Sequence, residues 1–185
     1  MKTLVLFAGL SGAGKSYIAR RLDKKLKHGF YFDSDLFAKE SMQKQKISFE
    51  TMKAKEIKEV RIESQNSKIR LIRKLFDKFD VIFLDTCFDI LEARKLYFNL
   101  SKTINIIVLE VKCLEKVVKK RILGNKHESR QPGSSKQIRW EHYLKQKKKW
   151  VPVKWKKHFI INSEKDVGKQ VNKFIEEYSA FLMVQ

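Results

Sequence analysis

Cysteine is scarce in this chain: Cys87 and Cys113 are the only two in 185 residues, they lie in separate apolar runs, and neither belongs to a cysteine–histidine cluster. That excludes a disulfide scaffold and a zinc site and points to buried free thiols in a reducing compartment, the cytoplasm. Long apolar runs are missing too, so no segment approaches a membrane span. The short apolar stretch after Met1-Lys2 lacks a small-residue cleavage pattern and runs straight into Gly9 and Lys15, so it reads as a strand rather than a leader. Acids are outnumbered, 21 against 41 basic residues, which leaves a formal net charge of +20. The four histidines carry no catalytic pattern, and no Asn-Lys-x-Asp guanine signature occurs, which makes ATP the expected nucleotide.

What remains is a folded chain. Hydrophobic residues at 43% with 34% charged residues suit a packed core under a charged surface, and 185 residues suit one domain spanning 1–185. Three of the seven glycines fall in Gly9-Leu10-Ser11-Gly12-Ala13-Gly14-Lys15-Ser16, which matches the phosphate-loop pattern at every fixed position and follows the apolar run Leu4–Ala8. Glycines let successive N–H groups turn toward phosphate oxygens while the following helix adds its positive end. Lys15 supplies a mobile charge and Ser16 a hydroxyl for Mg²⁺. ATP and Mg²⁺ are therefore the expected ligands.

Further along, helical spacing predicts a helix over about 15–27 and a strand over about 30–32, which delivers Asp33-Ser34-Asp35 to the sheet edge. A long charged helical region over about 49–78 carries Val60, Ile69, Leu71, Ile72, Leu75 and Phe76 inward, and 42–57 reads as an insertion on the acceptor side. Strands are expected at 81–85, 104–111 and 159–161, and helices at 114–123, 137–150 and 167–182. The Gly- and Ser-rich stretch 124–136 reads as a lid. Alternating strands and helices predict an α/β fold: a P-loop NTPase with a five-stranded parallel sheet, helices on both faces and a lid.

Ligands of such sheets bind outside the carboxyl ends of the strands. There the phosphate loop, Asp33 with Asp35, and Asp85 with Thr86 converge, the parts of a phosphoryl-transfer site. Asp35 is expected to accept the proton of an attacking hydroxyl, with Asp33 as the alternative. Either acid also suits a helix N-cap or Mg²⁺ held through water, Asp33 first. Asp85 reads equally as a strand-to-helix cap or as the group that orients Mg²⁺-bound water or the acceptor. Arg94 either reaches the acceptor or pairs on its helix surface. Arg121 and Arg130 flank or lie in the lid and are expected to cover the transferred phosphoryl group and exclude water.

A second feature is the stretch Lys145–Lys157, with seven lysines, no acid, and Trp150 and Trp155 interleaved. It suits either a solvated face or a nucleic-acid contact in which the tryptophans stack on bases. The expected partners are thus a small-molecule or nucleotide-like acceptor, nucleic acid through this basic stretch, and no membrane.

The order of phosphate loop, Asp35, Asp85-Thr86, Arg94, Arg121 and Arg130 resembles the small P-loop kinases that include polynucleotide kinase, zeta toxin, chloramphenicol phosphotransferase and adenylylsulfate kinase. The wording Gly-Leu-Ser-Gly-Ala-Gly-Lys is similar to adenylylsulfate kinases, and the Asp85-Thr86 to Arg94 spacing is similar to 5′-hydroxyl polynucleotide kinases. The resemblance implies an ATP- and Mg²⁺-dependent kinase in which the aspartate matched by Asp35 activates an acceptor hydroxyl. Members with an Asp-x-x-Arg pattern after the second strand carry arginine where this chain has Ala38.

Overall fold

The apolar runs read from the sequence become the centre of a parallel sheet because strands covered on both sides have no polar face to show. In the computed structural model, which describes residues 2–34, 36–37, 54–85, 88, 91–124 and 135–182, five strands run in the order β2-β3-β1-β4-β5. They are β1 (Thr3–Ala8), β2 (Gly29–Asp33), β3 (Val81–Asp85), β4 (Asn105–Lys112) and β5 (His158–Asn162), and every pairing is parallel. All six residues of β1 are buried. The helices are α1 (Lys15–Asp23), α2 (Ala54–Leu75), α3 (Leu91–Phe98), α4 (Glu115–Leu123), α5 (Lys136–Lys149), α6 (Val167–Glu177) and α7 (Ser179–Leu182), with a 3-10 turn at Asn99–Lys102.

Alternation along the strands divides the core in two. Val5, Phe7, Phe83, Ile107 and Leu109 face α1 and α6 through Ile18, Leu22, Val171 and Phe174. Leu4, Leu6, Ile82, Leu84, Ile106 and Val108 face α2 and α3 through Ile69, Ile72, Phe76 and Tyr97, and Val153 closes that layer. Of the six residues the periodicity turns inward, Ile69, Ile72 and Phe76 are buried, while Val60, Leu71 and Leu75 are half-buried. The closing helix is shorter than expected: α6 ends at Glu177, Tyr178 takes φ −109, and α7 resumes at Ser179. The break lets Tyr178 and Phe181 turn onto the first layer, and Thr3 Oγ1 donates to the carbonyl of Phe181 at 2.7 Å. The first strand and the last helix are thereby joined.

Several expectations fall outside the described residues: Asp35, Ala38, Thr86, Cys87, Arg130, the insertion as far as residue 53, and the lid over 125–134. Cys113, in contrast, is a half-buried free thiol. Among the described residues no helix is long and apolar enough to cross a membrane.

Candidate active site

Sheet register brings the site together. Asp33 on β2 pairs with Asp85 on β3, and Asp85 pairs with Phe7 on β1, two residues before Gly9. The two carboxylates and the root of the phosphate loop therefore share one level at the carboxyl edge of the sheet. The loop's curl depends on glycine at both ends. Gly9 has φ +141 and a Cβ there would lie 2.5 Å from the carbonyl oxygen of Val111; Gly14, at φ +103, forms the left-handed N-cap of α1. Within this curl Ala13 N–H donates to Leu10 O at 3.2 Å, and Lys15 Nζ reaches across to the same oxygen at 3.3 Å. Lys15 is buried, with 8% of its surface exposed.

Ser16 Oγ donates to Asp85 Oδ2. Tyr31 Oη lies 3.1 Å from that same oxygen and 3.3 Å from Asp33 Oδ2, so its one proton is shared between two carboxylates. The other oxygen of Asp33 accepts the N–H of Leu36 at 3.2 Å, the capping bond its residue type allows. Asp33 is thus a cap and a neighbour of Asp85 at once. A hydroxyl and a carboxylate in contact form a hard, all-oxygen donor set, which suits Mg²⁺ and not a soft metal. Among the described residues no cluster of three His, Cys, Asp or Glu is placed to hold a metal ion.

Arg121 projects from α4 onto the loop. Its Nη1 donates to the carbonyls of Gly12 at 3.3 Å and Ala13 at 3.2 Å and to Ser163 Oγ at 2.9 Å, while Nη2 donates to Ser163 O at 3.0 Å. The guanidinium so neutralises peptide oxygens of the loop and ties it to the exit of β5. Arg94 is not on its helix surface: it is buried, with Nε donating to Phe88 O at 2.6 Å and Nη1 to Pro152 O at 3.3 Å. Its charge sits over the rings of Phe88 and Trp150, 5.6 and 5.1 Å from their centroids. Phe88 takes a left-handed φ of 60, rare for a bulky side chain. Ring contacts with Tyr97 and Phe98 and the Arg94 bond to its carbonyl hold it there.

Beside the loop lies a cavity of about 210 Å³ lined by Gly9, Leu10, Glu110, Cys113, Tyr143 and Trp150 among others. Glu110 Oε2 is 3.0 Å from His158 Nε2, so the buried acid has a partner on the neighbouring strand. Burial, with the negative charge of Glu115 nearby, pushes the Tyr143 hydroxyl above its ordinary pKa of 10.0. It stays protonated at neutral pH.

The basic stretch divides in the structure. Trp155 is stacked on Phe98 with ring centroids 4.2 Å apart, its indole N–H donates to Ile106 O, and Trp150 lies under Arg94. Both rings are half-buried and engaged in packing, so neither stands fully open as a stacking platform. Lys147 pairs with Glu115 and Lys157 donates to Asn105 Oδ1, whereas Lys145, Lys148, Lys149, Lys154 and Lys156 are exposed.

Three contributors escaped the sequence reading. Tyr31 stands two residues before Asp33 and so shares its side of the strand, Ser163 follows the last strand at the ligand-binding edge, and Gln146 is a polar residue on the buried stripe of α5. The positions of Tyr31 and Ser163 were readable from period and topology, that of Gln146 was not, and none belongs to a fixed motif.

Comparison with known proteins agrees with this architecture. No curated protein matches the chain by sequence. Among solved structures, Kti12 from Chaetomium thermophilum in complex with ADP-AlF3 superposes with a TM-score of 0.68 at 17% identity, covering 97% of this chain and 98% of that one. An unliganded sugar kinase from Janibacter sp. gives 0.66 at 12% identity, covering 95% and 94%. The APS kinase CysC of Mycobacterium tuberculosis, in complex with AMPPNP and APS, gives 0.60 at 15% identity, covering 96% and 98%. The fold is that of the P-loop kinases. A family model described as an AAA domain matches residues 8–139, from the end of β1 through the phosphate loop and β4 into α5, and the chain therefore belongs to the AAA_17 family.

Proposed function

We propose that this protein is an ATP- and Mg²⁺-dependent phosphotransferase that moves the γ-phosphoryl group of ATP to a hydroxyl of a small or nucleotide-like acceptor. The observation that carries the reading is the contact of Ser16 with Asp85 beside Lys15, because it sets a metal-type oxygen pair next to a phosphate cradle. Ser16 and Asp85 would hold Mg²⁺, with Asp33 adjoining through Tyr31. The ion supplies charge neutralisation on phosphate oxygens when bound. The loop amides and Lys15 orient and neutralise the phosphates, and Arg121 and Arg130 add positive charge from the side of α4 and the residues after it. Asp35, two residues beyond the strand-end Asp33, takes the acceptor hydroxyl's proton, and Thr86 and Arg94 shape the acceptor side, Arg94 by pinning Phe88.

The test is transfer from γ-labelled ATP into a panel of metabolites and oligonucleotides. Label in one acceptor class, lost in Asp35→Asn while ATP binding persists, is the expected result. ATP consumption without a labelled acceptor would instead make the protein an ATP-driven switch. A second reading, a 5′-hydroxyl of RNA or DNA as acceptor, is favoured by the exposed lysines of α5 and the segment after it, on the helix that touches the loop through Gln146. End labelling of oligonucleotides separates it from a metabolite kinase.

A further inference from the structure

On α5 the described side chains that are buried are Tyr143 and Gln146. Tyr143 belongs to the small apolar cluster with Val118 and Ile122, but Gln146, 6% exposed, is an amide on a face that packing alone would fill with Leu or Met. A buried amide is costly unless bonded. The bond it makes crosses 135 residues: Gln146 Oε1 accepts the N–H of Ser11 at 3.2 Å.

The consequence follows from peptide planarity. The N–H of Ser11 and the C=O of Leu10 belong to one rigid plane. Leu10 O is the oxygen that receives Lys15 Nζ and the N–H of Ala13. Holding the N–H side therefore fixes where the carbonyl points, and with it both the loop's tightest turn and the resting place of the lysine. The remaining contacts make the link stiff: Arg121 on α4 grips the carbonyls of Gly12 and Ala13, and Lys147 on α5 pairs with Glu115 on α4. We propose that Gln146 is a positioning residue of the nucleotide site, orienting the Leu10–Ser11 peptide so that the phosphate loop and Lys15 are preset for a triphosphate before it arrives. This rests on the reading of the loop as an ATP site.

Two variants test it. Gln146→Met keeps volume and helix propensity and removes the acceptor; Gln146→Glu keeps an acceptor at the same reach. In nucleotide-free protein, amide exchange at Ser11 should accelerate about tenfold in Gln146→Met and stay slow in Gln146→Glu. Affinity for MgADP by calorimetry should fall about five- to tenfold in Gln146→Met, the scale of one hydrogen bond. KM for ATP should rise in parallel, while kcat at saturating ATP should stay within about twofold of wild type. A Gln146→Met protein with wild-type Ser11 exchange and MgADP affinity overturns the role of Gln146 alone. So does one whose exchange rises uniformly over the whole chain, since that marks general destabilisation. Wild-type protein that takes up no MgADP overturns the ATP reading, and the proposed role with it.

Discussion

At the carboxyl edge of β1 and β3 polar groups converge, whereas along residues 145–157 they part company with the rings between them. In the first region Ser16, Asp85, Tyr31 and Asp33 form one connected chain, and Lys15 is folded back over its own loop. In the second, Trp150 and Trp155 turn inward to cover Arg94 and Phe98 while Lys148, Lys149, Lys154 and Lys156 extend to solvent. The contrast teaches that charge and aromatic content describe what a segment is made of. Fixed spacing describes what its atoms do to one another.

The largest effect that would break this contrast is at the loop. Lys15→Ala should lower phosphoryl transfer by about three orders of magnitude or more, since positioning and charge neutralisation are nearly all the catalysis such a site offers. Its melting temperature should remain near wild type. Trp155→Ala should do the reverse. Loss of the Phe98 stack and the bond to Ile106 O should cost about 2–3 kcal/mol in urea unfolding, below the range for fully buried tryptophans because the ring is only half-buried. Transfer per folded molecule should not change. If oligonucleotide affinity fell with Trp155→Ala in proportion to the base content of the strand, the ring would be a stacking surface after all.

A subtler measurement sharpens the division within the basic stretch. Replacing Lys148, Lys149 and Lys154 together by Gln should leave the melting temperature almost unchanged. It should reduce the slope of log affinity against log salt for any bound oligonucleotide by about two to three. The smallest effect belongs to Lys2, whose Nζ holds Asp80 at 3.0 Å on the surface. That hydrogen bond, more than the charge alone, keeps the Asp80 carboxyl below its ordinary value of 3.8. A depressed carboxylate stabilises the fold fully above its unfolded value and loses that contribution as pH falls through the folded one. Lys2→Ala should therefore lower stability slightly at neutral pH, by less than about 1 kcal/mol for so exposed a pair, and the difference should vanish under strong acid.

The positions of the strands, the phosphate loop and the carboxylate at the end of β3 were legible because each rests on local rules: apolar runs, fixed glycine spacing, and an acid where a strand stops. Arg94 was not. Its partners Trp150 and Pro152 lie more than fifty positions away, and nothing within α3 announces that an arginine there is buried. Gln146 was hidden differently, since its helix is dominated by lysines and the reason for a buried amide sits on the loop. Asp33 shows the intermediate case: cap and site neighbour were both readable from Asp-Ser-Asp, and the structure gives the residue both roles at once.

The first of the five strands in chain order is also the one at the middle of the sheet. Thr3–Ala8 must wait for Val81–Asp85 on one flank and Asn105–Glu110 on the other, and Thr3 meets its hydroxyl's partner only when Phe181 exists. At ordinary ribosomal speeds roughly eighty residues take about 4–16 seconds. Through that interval a largely apolar ribbon emerges without either of its sheet neighbours. That exposure comes from connectivity rather than from any weakness in the finished fold.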